Sequence, residues 1–219
     1  MTQRLKNNKI AVEFEIKAVL FDFGGVLAEE GFKGGLTVIA ENNDHDPLKL
    51  VSAAFDIIYD IGFVVGKVRD DSFWATLRQH FPLKENDSAL REEILSHFLL
   101  RPWMLDTVSD LKNHGIIVGI LSDQCHWLDE LDQRNGFLKL FDHIFNSYYM
   151  HISKRDPKVF DYASESLDIS PNHILFIDDH ESNIIRAKQK GFQTILYLDK
   201  DSFIRQLKRA VYKDDKDNK

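Results

Sequence analysis

The chain contains a series of short apolar runs, each followed by a polar or charged side chain. The run at 18–21 is apolar at every position, which is typical of a parallel strand buried between two layers of helices. Similar runs lie at 115–121, within 141–150, at 173–177 and at 193–198. We interpret all five as strands of one buried sheet.

Stretches with apolar residues at helical spacing separate these runs. They predict helices at 104–113, 124–134, 157–167 and 181–190. Strands that alternate with helices form mostly parallel sheets, because right-handed crossovers place the helices on the two faces. The predicted fold class is therefore α/β, a three-layer α/β/α sandwich with a mostly parallel sheet.

A helical insertion is predicted between the first strand and the rest of this core. Apolar residues at helical spacing indicate helices at 47–61, 71–81 and 87–100, with Asp46, Asp70 and either Asn86 or Asp87 as N-caps. The apolar positions, such as Phe55, Trp74 and Leu77, favour a plain packing role. The predicted domains are a core at 10–28 and 101–212, a helical insertion at 29–100 and a disordered charged tail at 213–219.

Carboxylates follow two of the predicted strands. Asp22 precedes a bend at Gly24 and Gly25, where the backbone can bring bare N–H groups close to an anion. Taken alone, Asp22 could equally be a turn former. Asp178 and Asp179 repel each other unless a cation lies between them or one stays protonated. Hard oxygen ligands without a Cys or His cluster favour Mg²⁺ over zinc.

Two further strand ends offer groups that could bind a phosphate. Ser122 follows the second run and could donate a hydrogen bond to a phosphoryl oxygen, or it could cap the next helix. Lys154 follows the third run and offers a compact positive charge, although most lysines lie on the surface. The order Asp, Ser, Lys, Asp-Asp is much more specific than any one of these residues.

That order resembles the haloacid dehalogenase (HAD) superfamily of hydrolases, most of whose members are magnesium-dependent phosphatases. The resemblance covers about residues 16–200 and implies the Rossmann-like sheet of that superfamily. Supporting matches are Arg101-Pro102 and the segment 154–160, which is similar to Lys-Pro-Asp-Pro-x-x-Phe. Further matches are the run 178–183 and the Ala187 and Gly191 that follow it.

The resemblance implies a role for each matched residue. Asp22 would be the nucleophile that forms an aspartyl-phosphate, with Ser122 and Lys154 as the other catalytic residues. The phosphate would be bound by Phe23, Gly24, Ser122, Asp123 and Lys154. Mg²⁺ would be held by Asp22, the carbonyl of Gly24, Asp178 and Asp179, with Asn183 supporting them from behind.

The insertion resembles the small helical cap of this family, which closes over the site and contacts the substrate. Gly31, Gly34 and Gly35 would then lie in a flexible connector that permits closure. The motif Asp-x-Gly-x-Val at 22–26 is similar to a branch that includes α-glucose-1-phosphatase-like enzymes. The implied substrate is a small phosphorylated metabolite, with sugar phosphates within the class.

Three positions depart from the family pattern. Gly24 stands where most of the phosphatases carry a second aspartate as general acid and base, a role worth typically about 10² to 10⁴ in rate. We therefore expect slow dephosphorylation with a pre-steady-state burst, and brisk turnover without a burst would imply another base. Asp123 replaces the usual Asn and could repel a phosphate, and Arg155 replaces a proline.

These departures keep an alternative open, a catalytically impaired binding or regulatory protein with the same fold. A haloacid dehalogenase is disfavoured by the intact pair Asp178-Asp179, since that reaction uses no magnesium. A two-component receiver domain is excluded, because there the acidic pair comes first along the chain and the lysine last.

Composition narrows the partners. The 219 residues carry a formal net charge of −7, which argues against nucleic acid as a partner. The start of the chain lacks the apolar core of a signal peptide, and no apolar run approaches the ~20 residues of a membrane span. Cys125 is the single cysteine, so no internal disulfide can form. We expect a cytoplasmic protein without a membrane segment.

Overall fold

Five parallel strands form one sheet at the centre of the computed structural model, which describes residues 15–212. The strands are β1 (Ala18–Phe21), β2 (Ile117–Ser122), β3 (His143–Asn146), β4 (Ile174–Asp178) and β5 (Gln193–Leu196). Their order across the sheet is β3-β2-β1-β4-β5, so β1 lies at the centre. The predicted tail at 213–219 and the predicted core residues 10–14 lie outside the described residues.

Helices connect and flank the strands. They are α1 (Gly31–Asn42), α2 (Pro47–Asp60), α3 (Asp70–His80), α4 (Asp87–Ser96), α5 (Pro102–Asn113), α6 (Trp127–Asn135), α7 (Ser147–Met150), α8 (Lys158–Leu167), α9 (Glu181–Gln189) and α10 (Lys200–Val211). The helices predicted from periodicity are confirmed, while α1, α7 and α10 were not predicted. Across residues 15–212, none of the helices is both long and apolar enough to pass through a bilayer.

Both faces of the sheet are buried, which confirms the three-layer sandwich. Val19 and Phe21 point into one core, which also contains residues of α5, α6 and α10. Ala18 and Leu20 alternate with them and point into the other core, against α8 and α9. This two-sided burial explains why β1 reads as a continuous apolar run.

The expected flexible connector after β1 is wrong, because the glycines in question lie in helix α1. A Cβ on Gly31 would overlap the ring of Phe98, and a Cβ on Gly35 would overlap the backbone of Ile94. These glycines therefore let α1 approach α4 and the residues that follow it closely. Glycine is needed at these two positions because any side chain would prevent this close packing.

The predicted N-caps of the insertion are confirmed at two helices and wrong at the third. Asp46 accepts hydrogen bonds from the first turn of α2, and Asn86 caps α4. Asp70 is already the first residue of α3, whose N-cap residue makes no side-chain cap bond. Its carboxylate is engaged by Arg91 at 3.1 Å instead, because a nearby cation is a stronger partner than a backbone N–H.

Aromatic side chains join the helical insertion to the core. The ring of Trp127, at the start of α6, stacks on Trp74 with a centroid separation of 6.0 Å. Phe63 lies edge-on to Trp127 at 5.5 Å and stacks on Phe73 at 5.7 Å. The insertion formed by α1–α4, which we call the cap, is therefore anchored to the core by a shared apolar cluster.

The turn after β1 depends on Gly25. Its φ of +77° lies in the left-handed region, and a Cβ there would overlap the carboxylate of Asp179. Gly115 has a nearly identical φ of +78°, but a Cβ there would meet nothing within 4 Å. A comparison of the two glycines therefore distinguishes the cost of a left-handed backbone from the cost of displacing Asp179.

We expect Gly25→Ala to cost more free energy of unfolding than Gly115→Ala, measured by urea denaturation. Left-handed backbone alone costs a non-glycine residue about 1–2 kcal/mol, which both variants share. Displacing the Asp179 carboxylate adds an overpacking cost of about 1–3 kcal/mol at Gly25 alone. Equal losses in the two variants would show that the contact with Asp179 is unimportant.

Candidate active site

The predicted site residues meet at one edge of the sheet, where parallel strands end. Asp22 follows β1, Ser122 ends β2 and Asp178 ends β4. The registers Phe21↔Ile120 and Phe21↔Ile177 bring all three ends level with one another. Each of the three side chains is buried. The crevice beyond the carboxyl ends of strands is the usual ligand site of such sheets.

Lys154 holds two of these carboxylates together. Its Nζ lies 2.7 Å from Oδ2 of Asp22 and 2.7 Å from Oδ2 of Asp178. The lysine side chain is only 3% exposed, so this is a buried ion cluster and not a surface pair. The prediction that Lys154 lies in the site is therefore supported by its position, and the surface alternative is excluded.

Ser122 contacts Asp22 directly. Its hydroxyl donates a hydrogen bond of 2.5 Å to Oδ1 of Asp22, and the backbone N–H of Phe23 donates to the same oxygen at 2.7 Å. Gly24 follows Phe23 directly and lines a cavity together with Asp22. Both Asp22 oxygens are thus fixed, one by Lys154 and one by Ser122 and Phe23.

Asp178 is the carboxylate whose negative charge is best stabilised by hydrogen bonds. Beyond Lys154, it accepts hydrogen bonds from the Asn183 amide at 3.0 and 3.2 Å and from the His180 backbone N–H at 2.7 Å. Burial opposes its ionisation, but Lys154 and these donors outweigh burial and lower the pKa of Asp178. Asn183 therefore holds Asp178 in place through two hydrogen bonds.

The charged forms of the other two carboxylates, Asp22 and Asp179, are less well stabilised. Burial raises the pKa of Asp22 despite the attraction of Lys154. Burial and the neighbouring Asp178 raise the pKa of Asp179. Burial alone would lower the pKa of Lys154, but Asp178 and Asp22 outweigh it and raise the pKa. A single lysine charge does not balance the three carboxylates.

A divalent cation fits this arrangement. Ligand oxygens of Asp22, Asp178 and Asp179 lie within 4.8 Å of one another. Asp179 Oδ1 is buried and has no hydrogen-bond partner within residues 15–212. Buried polar atoms normally have a partner, so a group that binds this oxygen is missing. Three carboxylate oxygens are the donor set that Mg²⁺ prefers.

Asp123 is turned toward the cap. Its Oδ2 accepts a hydrogen bond of 2.9 Å from the Tyr59 hydroxyl of α2, and its Oδ1 accepts one of 2.8 Å from the Lys154 backbone N–H. Burial raises the pKa of Asp123. Arg155 stacks its guanidinium over the Tyr59 ring at 3.3 Å. These four residues form a clasp between cap and core that the sequence did not reveal.

A cavity of about 90 Å³ is lined on its polar side by Asp22, Asp123 and Lys154 of the core. The apolar residues that line it come largely from the cap and α6, and they are Phe32, Phe55, Ile58, Phe63, Val64, Phe98 and Trp127. Titratable groups on the wall include Glu30, Tyr59 and His180. The cavity is therefore lined by both charged and aromatic side chains.

Sequence reasoning missed Glu30. It directly precedes α1 and caps that helix, with Oε1 accepting from the Lys33 N–H at 3.3 Å. Its other oxygen lies 2.9 Å from where a Cβ on Gly24 would stand. Burial raises its pKa. A glutamate before an unpredicted helix gave no signal in the sequence.

We expect Tyr59→Phe to destabilise the protein by about 1–3 kcal/mol, because the half-buried Asp123 carboxylate loses a donor. Urea denaturation would measure this loss. Tyr162→Phe, on an exposed tyrosine of α8, is the matched control and should unfold like the wild type. A Tyr59 variant as stable as the control would show that the clasp contributes nothing to stability.

Comparisons with known proteins agree with this geometry. The sequence model of the haloacid dehalogenase-like hydrolases matches residues 16–191. Bifunctional epoxide hydrolase 2 of Rattus norvegicus is 28% identical over 144 residues, which are 63% of this chain and 25% of that protein. The matched region thus spans about a quarter of the length of that relative.

Two further comparisons involve Bacteroides thetaiotaomicron. Its D-ribitol-5-phosphate phosphatase is 36% identical over 53 residues, 24% of this chain and 26% of that protein. The solved structure of a HAD family enzyme in complex with magnesium and inorganic phosphate has a TM-score of 0.64 at 22% identity, covering 82% of this chain and 93% of that one. This structural likeness shows a common fold. Because the family model matches most of its length, the chain belongs to the haloacid dehalogenase-like hydrolases.

Proposed function

We propose that this chain is a magnesium-dependent phosphatase that hydrolyses a small phosphate monoester through an aspartyl-phosphate on Asp22. The observation that carries the proposal is the buried cluster of Asp22, Ser122 and Lys154 beside the acidic pair. A carboxylate nucleophile, a hydroxyl donor and a fixed cation are the groups that phosphoryl transfer to an enzyme carboxylate requires.

Relatives with phosphatase names support the choice of reaction, as does the neighbour that holds magnesium and phosphate. Dehalogenases also occur among the similar structures. The crowded carboxylates favour the phosphatase, because a metal ion would balance their charge and a carbon–halogen substrate would not. Asp179 Oδ1, which lacks a partner among the residues described, is the structural reason for this preference.

Asp22 would attack phosphorus with one carboxylate oxygen, forming the O–P bond as the bond to the leaving group breaks. Lys154 and Ser122 already hold that carboxylate in one orientation, which reduces the entropy lost on reaching the transition state. Lys154, whose ammonium has a third N–H, and the Gly24 N–H would stabilise negative charge on the phosphoryl oxygens. The Ser122 hydroxyl and Phe23 N–H would join them once the attacking carboxylate releases these donors.

Mg²⁺ would be held by Asp22, the Gly24 carbonyl, Asp178 and Asp179, and when bound it would supply positive charge against the phosphate. Asn183 and the His180 N–H keep Asp178 oriented for that task. Asp123 is engaged by Tyr59 and Lys154, so its phosphate-binding role stays a prediction from the resemblance.

The cavity walls favour a leaving group with apolar surface. Phe32, Phe55 and Ile58 present hydrocarbon in the same cavity as the charged side chains. The Tyr59 hydroxyl on the same wall already donates to Asp123 and is not free to donate to a sugar hydroxyl. We therefore favour an aryl or alkyl phosphate over a polyol phosphate within the predicted class of small phosphorylated metabolites.

We expect Asp22→Asn to abolish magnesium-dependent release of phosphate from 4-nitrophenyl phosphate, a loss of order 10³-fold or more. Asp106→Asn, on an exposed position of α5, is the control and should keep wild-type turnover. Chelator should remove the wild-type activity. A wild type that binds magnesium yet hydrolyses no ester would favour the binding-protein alternative.

We expect hexyl phosphate to exceed glucose 1-phosphate in kcat/KM by about tenfold or more, since each buried methylene contributes about 0.8 kcal/mol. Phe55→Ala should reduce that preference, while Leu48→Ala, at an 82% exposed position of the same helix, should not. Steady-state kinetics with both esters measures this. A preference for glucose 1-phosphate would instead assign the cavity to sugar phosphates.

A further inference from the structure

The proposed reaction needs a proton donor and a proton acceptor that the ion cluster does not supply. An alkoxide leaving group must gain a proton, and the water that releases phosphate from Asp22 must lose one. Lys154, Asp22 and Asp178 are bound to one another in the buried cluster. Asp179 is assigned to the metal ion in the proposed function, which leaves the other side chains of the cavity wall as candidates for moving protons.

Most titratable side chains on that wall are committed elsewhere. Tyr59 and Asp123 bond to each other across the clasp. The Cys125 thiol is buried, and burial raises its pKa far above that of a free thiol. Among the described wall residues, Glu30 and His180 remain as candidates.

The position of Glu30 favours it over His180. Oε2 of Glu30 lies 2.9 Å from the place a Gly24 Cβ would take, two residues after the nucleophile in sequence. Because Gly24 has no side chain, the Glu30 carboxylate can approach the backbone there and occupy the space that a side chain would fill. Gln124 Nε2 and Phe98 Cε1, both 3.5 Å from the same point, close its other sides.

Helix α1 fixes the orientation of this carboxylate. Oε1 of Glu30 accepts from the Lys33 N–H, and the backbone carbonyl of Glu30 accepts from the Gly34 N–H at 3.1 Å. One oxygen therefore anchors the side chain to the first turn, while the other faces Gly24 and the cavity. A group held in this way can reach a leaving oxygen without losing much side-chain entropy.

We propose that Glu30 is the general acid and general base of the reaction, an inference that rests on the proposed phosphatase function. As the Asp22 O–P bond forms and the ester P–O bond breaks, Glu30 gives its proton to the leaving oxygen. Glu30 then takes a proton from the water that forms the new P–O bond, and Asp22 is released. The ester and water become alcohol and phosphate, and both carboxylates return to their starting states.

This role reverses the expectation drawn from Gly24 alone. With Glu30 as the base, the wild type turns over without a burst, because hydrolysis of the aspartyl-phosphate is assisted. We expect the burst instead in a variant that lacks the Glu30 carboxylate.

Glu30→Gln tests the proposal, because its amide oxygen can still accept the cap bond from Lys33 while proton transfer is lost. We expect kcat/KM for hexyl phosphate to fall by about 10²- to 10⁴-fold. With 4-nitrophenyl phosphate, whose leaving group needs little protonation, the first step should stay fast and release about one equivalent of nitrophenol before slow turnover. Glu41→Gln, exposed at the other end of α1, should behave like the wild type.

A second pair of variants, in which the carboxylate is moved to another residue, controls for loss of folding. Glu30→Ser keeps a good N-cap residue and vacates the space, and Gly24→Asp added to it places a carboxylate there from the strand side. We expect the double variant to recover at least tenfold in hexyl phosphate hydrolysis over Glu30→Ser. A double variant no faster than Glu30→Ser, at an unchanged unfolding midpoint, contradicts the proposal.

The outcomes separate the two proposals. If Asp22→Asn is inactive and Glu30→Gln matches the wild type on both esters, the phosphatase stands and the role of Glu30 is refuted. If His180→Asn shows the selective loss on hexyl phosphate and Glu30→Gln does not, His180 is the acid and Glu30 only a helix cap. If the wild type releases no phosphate from either ester, both proposals fail together.

Discussion

The Lys154 ammonium between Asp22 and Asp178 is the interaction on which the rest of the structure depends. A charge so deeply buried is tolerated only when its partners are close and well oriented, and removing one partner of such a pair costs about 3–5 kcal/mol. Lys154 lies on the segment between α7 and α8, so that segment must cover the sheet for the cluster to form. The requirement for the ion cluster therefore also fixes the loop that closes one side of the cavity.

The cap is joined to this cluster by defined contacts. Tyr59 of α2 donates to Asp123, and Asp123 also accepts from the Lys154 backbone, so the clasp is continuous with the buried charges. Arg155 covers the tyrosine ring. Any movement of α2 away from the core must break the hydrogen bond from Tyr59 to the half-buried Asp123 carboxylate, so the position of the cap depends on the electrostatics of the site.

Strand ends and helices of the core could be predicted from the sequence, because apolar runs and helical periodicity are local signals. The order Asp22, Ser122, Lys154, Asp178 also indicated a common site, through its resemblance to the haloacid dehalogenase superfamily. Helix α1 could not be predicted in this way, because Gly31 and Gly35 read as loop residues until their contacts with Phe98 and Ile94 are known. Asp70 misled for a similar reason, because its partner Arg91 lies on another helix.

The same limit explains why the surroundings of Gly24 and Asp123, the two departures at the strand ends, could not be predicted. Asp123 seemed to place a repulsive charge at the phosphate, but Tyr59 and a backbone N–H engage both of its oxygens. Gly24 lacks a carboxylate, but Glu30 places one beside it. In both cases the residue of the core that departs from the family pattern lies next to a side chain in or at the start of the cap. Core and cap must therefore be considered as one chemical unit, in which α1 and α2 position groups that the strand ends do not carry.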